Sequence, residues 1–248
     1  MTSPESSQLV ATAGDYLRWG RMGTEVFHDA LVVLDARSAD LPSLLPGWSR
    51  RDVVAHVALN AAALCNLLTW ARTGVPKPMY PNDAARDRAI AEQSRLTWCE
   101  LSKTFMQSAA RFAHEVEEMP PDAWSRTVRT RTGRTVPADQ ILWLRAREVW
   151  IHAVDLASTT TIDSLPKDFA MVLVEEVTTA LRGRPDVPAL RLEPADAATG
   201  WTVGADEPSD LVSGPVNWLL AWLIGRSDGT GLSWYTPSRK PLAMPPWL

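Results

Sequence analysis

The chain has 248 residues, enough for one large domain or two smaller ones, and its 46% hydrophobic content is ample for a core. A formal net charge of -4 and a pI near 5.6 argue against a nucleic-acid binder, whose footprint is a basic patch. Two cysteines, Cys65 and Cys99, are too few and too isolated for a disulfide framework or a cysteine zinc site; no stretch reads as a signal peptide or as the ~18 apolar residues of a membrane span, so a soluble cytoplasmic protein is expected.

A first helix is predicted from about Gly14 to Ala36, with Leu17, Thr24, Phe27, Leu31 and Leu34 at helical spacing; the first dozen residues are polar and expected to be disordered. A loop from Leu41 to Trp48 leads into a strongly helical segment, Ser49 to Thr73. Ser49 with Asp52 is a form of the capping box, and Gly74 fits a C-terminal stop. Val53, Val57, Ala61, Leu64 and Leu68 form its apolar face, with His56 and Asn60 along the flank. A Pro-rich turn, Pro76 to Pro81, precedes a short helix around Ala84 to Ser94. Thr97-x-x-Glu100 opens a third long helix, to about Glu118, which Pro120-Pro121 ends. Ser125 to Val136 alternates around Gly133 as a small hairpin.

The next helix carries the most informative pattern. Arg145, Glu148, His152 and Asp155 fall in one stripe at a period of 3.6, flanked by Leu144 and Ile151 on one side and Leu142, Val149 and Leu156 on the other. Such a line should face the interior of a bundle, where charges persist only when paired or bound to metal. An E-x-x-x-H on a helix is common, and the residues alone also fit a Glu148–Arg145 pair beside a histidine bonded to a carbonyl. If His56 joins, three N/O ligands leave a fourth position open, as in catalytic zinc sites. His28 and His114 read as structural or exposed, Cys65 as a small buried hydrophobe, and Trp143 and Trp150 as packing. After Thr160 the pattern changes: a helix from Pro166 to Arg182, strands at Ala189 to Leu192 and Trp201 to Val203, a helix from Pro215 to Gly225 and a strand near Leu232 to Tyr235. That alternation predicts a small α/β domain.

The segments A-H-V-A-L-N-A-A-A-L-C-N-L (55 to 67), T-G-V-P-K-P-M-Y (73 to 80), G-R-T-V-P-A (133 to 138) and L-W-L-R-A-R-E-V-W-I-H-A-V-D-L (142 to 156) resemble the mycothiol-dependent maleylpyruvate isomerases, which belong to the DinB-like metal-dependent thiol transferases. The likeness runs through Gly225-Arg226 but weakens from 157 to 213. It implies an α+β protein: a DinB-like four-helix bundle over 1–162 that carries the metal site, then a smaller α/β domain over 163–248. It also implies that His56, Glu148 and His152 hold zinc or another divalent metal and that Arg226 is catalytic. A cation at the end of a helix is otherwise favoured simply by the helix dipole. Arg86 is a weaker candidate, a second cation to help hold a dianionic substrate.

The implied reaction is the cis-trans isomerisation of maleylpyruvate to fumarylpyruvate, a step of gentisate catabolism. Rotation needs the double bond to lose its character temporarily. A thiolate added to the alkene carbon would give an enolate with a single bond, and rotation and expulsion of the thiol would give product. Zinc would deprotonate the mycothiol thiol, whose free pKa is ~8.5, and the Arg226 guanidinium would clamp a carboxylate or offset the enolate charge. The implied partners are therefore the small-molecule substrate and mycothiol, with no nucleic acid or membrane, in a monomer or small homo-oligomer. Two alternatives share part of this pattern: a mycothiol S-transferase acting on another electrophile, and a non-enzymatic, zinc-stabilised binding module.

Overall fold

The computed structural model describes residues 11–208, 210–235, 242 and 244–246. The chain divides into two compact units, Thr12–Thr160 and a second that begins at Thr161.

The first unit is helical. α1 (Ala13–Val32) starts at Thr12, whose hydroxyl and the Asp15 carboxylate form a capping box. It is shorter than the periodicity suggests, because Asp35 and Ser38 cap each other and start a separate turn, α2 (Ala36–Ala39). α3 (Arg50–Thr73) runs from the Ser49–Asp52 capping box to Gly74, which takes the left-handed conformation (φ 75°) that lets a helix end. α4 (Asp83–Gln93) is capped by Asn82. α5 (Trp98–Glu117) opens on the expected Thr97–Glu100 box. The hairpin joins β1 (Thr127–Arg129) to β2 (Thr135–Pro137), with Val128 opposite Val136. α6 (Gln140–Asp155) carries the polar stripe. The expectation for the first dozen residues concerns positions of which 1–10 lie outside the described ones.

Four long helices, α1, α3, α5 and α6, make the bundle. α1 packs along α6, and α3 packs against both α5 and α6. The first of these contacts is close because Gly23 faces Val149 and Trp150; a Cβ there would lie 2.6 Å from Val149 Cγ2 and 2.8 Å from the Trp150 ring. Trp150 Nε1 donates to the Trp19 carbonyl, and Trp143 stacks near Tyr16 and Trp19, so the tryptophans behind the polar stripe are packing residues. By length and composition α3 could cross a membrane, with a mean hydropathy of 1.5 over its most apolar window. However, 72% of that window is buried, as suits the central helix of a bundle. Its core partners include Phe112, Val116, Ile141 and Leu142.

The second unit packs helices against a mixed sheet. α7 (Lys167–Leu181) leads to β3 (Leu190–Pro194), β4 (Trp201–Val203) and β5 (Asp210–Gly214), then α8 (Val216–Leu223) and β6 (Ser233–Tyr235). The order is β4-β3-β5-β6, with β3 and β5 parallel and the outer pairs antiparallel. β5 is absent from the sequence prediction. Its residues, Asp-Leu-Val-Ser-Gly, read as loop and become a strand by pairing with β3 from Leu190 opposite Asp210 to Pro194 opposite Gly214. Helices and small sheets thus make an α+β fold.

Candidate metal centre

α3 and α6 bring His56, Glu148 and His152 together, with their ligand atoms within 4.8 Å of one another. His56 Nε2 lies 2.8 Å from Glu148 Oε2, and His152 Nε2 lies 3.4 Å from the same oxygen. The two imidazole rings stand at 90°, their centroids 4.8 Å apart. The Glu148–Arg145 pair that the residues alone allowed does not form in this way: Arg145 turns to α3, donating from Nη1 to the Val57 carbonyl and the Asn60 side-chain oxygen. Glu148 is left facing the two histidines.

Each histidine is oriented by a second contact. The Asp155 carboxylate, fully buried, lies 2.8 Å from His152 Nδ1 and so fixes a proton there, turning Nε2 toward Glu148. The carboxylate–histidine pairing is the usual support of a metal-ligating imidazole. His56 receives Arg86, whose Nη2 donates to Nδ1 at 3.3 Å, and the edge of Trp48 packs against its ring at 5.8 Å between centroids. Sequence reading placed Asp155 on the stripe without a role and gave no sign of Trp48. Tyr80 is half-buried nearby, and burial, with the Glu148 charge, pushes its hydroxyl up to about 12.

Burial alone would raise the Glu148 carboxyl, but His56 and His152 hold it well below the usual carboxylate range. Burial lowers His56 despite Glu148. His152 goes the other way: its hydrogen bonds to Asp155 and Glu148 outweigh burial and raise it to about 9. Two imidazole nitrogens and a carboxylate oxygen are the donor set of a zinc or similar divalent ion; ligands at roughly 2.0–2.2 Å from such an ion stand about 3.3–3.6 Å apart in a tetrahedron, so the 3.4 Å pair fits as it stands and the 2.8 Å hydrogen bond lengthens to admit the ion. The residues therefore fit a metal, with three protein ligands among the described residues.

The chain's own thiols stand apart from this chemistry. Cys65 is completely buried, and burial raises its thiol to about 11; Cys99 is exposed in the first turn of α5. His114 is exposed on α5, and His28 lies beside Asp29 on α1. Arg226 belongs to the second unit. Gly225, at φ 73°, ends α8 with a Schellman motif, in which the Arg226 amide donates to the Ala221 carbonyl and the Gly225 amide to that of Trp222. The Arg226 guanidinium donates from Nη1 to the Ile224 carbonyl.

Residues 21–157 match the family model described as the mycothiol maleylpyruvate isomerase N-terminal domain. Among solved structures, the chain is similar to a mycothiol-dependent maleylpyruvate isomerase, at 34% identity and a TM-score of 0.90 over 96% of this chain and 98% of that one. A variant of that enzyme with a histidine replaced by alanine matches equally well. YfiT from Bacillus subtilis, described as a probable metal-dependent hydrolase with an unusual four-helix bundle topology, shares the fold at 15% identity and a TM-score of 0.50, over 63% of this chain and 90% of its own. No curated protein matches the chain. The family match spans more than half of the chain and the 34% identity nearly all of it, so the chain belongs to the mycothiol-dependent maleylpyruvate isomerase family.

Proposed function

We propose that the protein isomerises maleylpyruvate to fumarylpyruvate with mycothiol as its thiol cofactor, in the cytoplasm, using zinc held by His56, Glu148 and His152. The observation that carries this reading is the convergence of those three side chains within 4.8 Å in a chain that matches the isomerase over 96% of its length. When bound, the metal supplies Lewis acidity that favours a thiolate at neutral pH, and mycothiol supplies the nucleophile that neither Cys65 nor Cys99 is placed to provide.

The protein's part is to hold and orient. Asp155 keeps the His152 proton on Nδ1 and so leaves Nε2 as a ligand atom. Glu148, with 23% of its side chain exposed, gives the site its opening to solvent, from which a small molecule can approach. Arg86, in contact with His56, is assigned the pairing with one substrate carboxylate. Arg226 is assigned its role on the family match: its planar guanidinium pairs with a carboxylate or with the negative charge that develops on the substrate.

The direct test is to mix purified, zinc-loaded protein with maleylpyruvate, with and without mycothiol, and to follow fumarylpyruvate. Isomerisation that depends on the thiol is the expected result. Thiol-independent turnover would overturn the cofactor assignment. Consumption of mycothiol by other electrophiles, with maleylpyruvate untouched, would identify an S-transferase of the same fold.

A further inference from the structure

Asn60 lies one turn beyond His56 on α3, and its partner Arg145 lies one turn before Glu148 on α6. The two residues form a polar layer next to the metal-site side chains. Asn60 is only 3% exposed. A guanidinium can only donate, so the 3.3 Å bond from Arg145 Nη1 must end on the amide oxygen, which fixes the orientation of the whole group. Nδ2 therefore points away from Arg145. It donates to no described residue, and it is not among the fully enclosed atoms that lack a partner, as Arg145 Nη2 is. The amide nitrogen thus meets open space. That space is not the groove between α1, α5 and α6, which Asn60 does not line. Tyr80 borders the same layer, with its hydroxyl close enough to Glu148 and to Arg145 to interact with the charge of each.

A donor held out of water without an acceptor is costly, and a ligand that supplies the acceptor removes the cost. The substrate proposed above carries two kinds of acceptor. Its carboxylates suit the cations Arg86 and Arg226. Its keto group next to the alkene suits an uncharged donor, because that oxygen is neutral at first and gains charge only during the reaction. As the thiolate sulfur bonds to the far alkene carbon, the alkene pair forms a new double bond to the keto carbon and the carbonyl pair moves onto oxygen. Rotation follows about the former double bond; the pairs then return and the sulfur leaves, with no proton gained or lost. A hydrogen bond to that oxygen strengthens as its charge grows, which is the condition for accelerating the step. Asparagine side chains serve oxyanions in this way.

We propose that Asn60 is a further catalytic residue, whose Nδ2 donates to the keto oxygen of the substrate and stabilises the enolate during rotation. The assignment rests on the isomerase reading given above and adds to it the donor for the developing charge.

Two substitutions and an unreactive ligand test it. Asn60→Asp keeps an oxygen for Arg145 and removes the amide donor. Asn60→Ser removes the donor without adding charge, and covers the case in which aspartate costs the protein its metal. In each, with zinc content checked, kcat for maleylpyruvate should fall about 10²- to 10³-fold while KM changes less than about threefold. Succinylpyruvate, the saturated counterpart of the substrate, cannot accept a thiol and is labelled with carbon-13 at the corresponding keto carbon. Its NMR signal should move downfield on binding to the unmodified, zinc-loaded protein and stay near its free value in both variants. A shift that persists in the variants would overturn the role of Asn60, as would no shift in the unmodified protein or an unchanged kcat in the variants. Failure of the unmodified protein to turn over maleylpyruvate would instead overturn the isomerase reading, and this role with it.

Discussion

Arg86 and His56 share a hydrogen bond whose direction is fixed. A guanidinium can only donate, so His56 Nδ1 accepts from Arg86 Nη2 at 3.3 Å and the imidazole proton resides on Nε2, 2.8 Å from Glu148 Oε2. A metal on Nε2 requires that proton to move to Nδ1, where it meets a donor. Metal loading would therefore break the Arg86–His56 bond and release Nη2 toward a substrate carboxylate, while Nη1 stays paired with the Asp87 carboxylate at 2.8 Å. Arg86→Met should keep its metal, with affinity equal to or above that of the unmodified protein, while KM for the dianionic substrate rises roughly tenfold or more, the scale of one lost charged hydrogen bond. Metal titration and steady-state kinetics check the two halves; loss of metal in Arg86→Met would show that the arginine supports the ligand instead.

Glu148→Ala and His152→Ala should each purify without stoichiometric metal, as read by elemental analysis. Asp155→Asn is a subtler case. It keeps a hydrogen-bonding group beside His152 Nδ1 but removes the charge, and loss of such a supporting partner typically weakens metal binding about 10- to 100-fold. Full occupancy in both alanine variants would show that the metal lies elsewhere.

The raised His152 makes the metal-free protein pH-sensitive in a defined direction. Its value of about 9 exceeds the ordinary 6.5, so its stabilising contribution is complete below 6.5 and is lost as pH rises through about 9. Glu148 and His56 are both shifted downward and titrate below this window. Thermal melts of the metal-free protein should therefore fall across it, and His152→Gln should flatten the slope. Near neutral pH, zinc uptake should release about one proton, because a ligating imidazole must be neutral. Calorimetry in buffers of different ionisation enthalpy measures that number directly.

Arg226→Ala separates chemistry from folding. The residue follows α8 in the second unit, and its backbone contacts to Ala221 survive the substitution. Metal content and melting temperature should stay close to those of the unmodified protein, while turnover drops about 10²- to 10³-fold, as for other groups that stabilise developing charge. Arg226→Lys should recover little, since an ammonium lacks the planar two-point fork. Normal turnover by Arg226→Ala would return this arginine to the role of a favourable charge at a helix end.

Gly23→Ala tests the packing that holds α6. The added methyl would press on Val149 and Trp150 at under 3 Å, and overpacking of this kind costs typically ~1–3 kcal/mol. A melting temperature as high as that of the unmodified protein would mean that α1 shifts freely along α6.

What the sequence made legible was local. The capping boxes of α3 and α5 are each written within four residues, and Glu148 and His152 share a face because helical geometry alone places them there. The contribution of His56 was visible only as a second helix with a suitable flank, and the resemblance to a family joined it to the others. What stayed hidden depends on distant partners. The attachment of Arg145 to Val57 and Asn60, the bond from Arg86 to His56, and the pairing of β5 with β3 all need the folded chain. The division of α1 from α2 is different: Asp35 and Ser38 are a readable cap, obscured by an apolar period that runs up to it at Leu34.

The distance in sequence between His56 and Glu148, 92 residues, also bears on how the protein comes to be loaded. In an unfolded chain His56 is held near neither Glu148 nor His152, and the Glu148–His152 pair by itself is a weak hold. The third donor arrives when α3 docks on α6, so affinity appears together with the bundle, and the free energy of binding becomes free energy of folding. Newly made chains should thus compete poorly for scarce metal until they are structured, and a chelator should lower the melting temperature by an amount that grows with the free metal it removes.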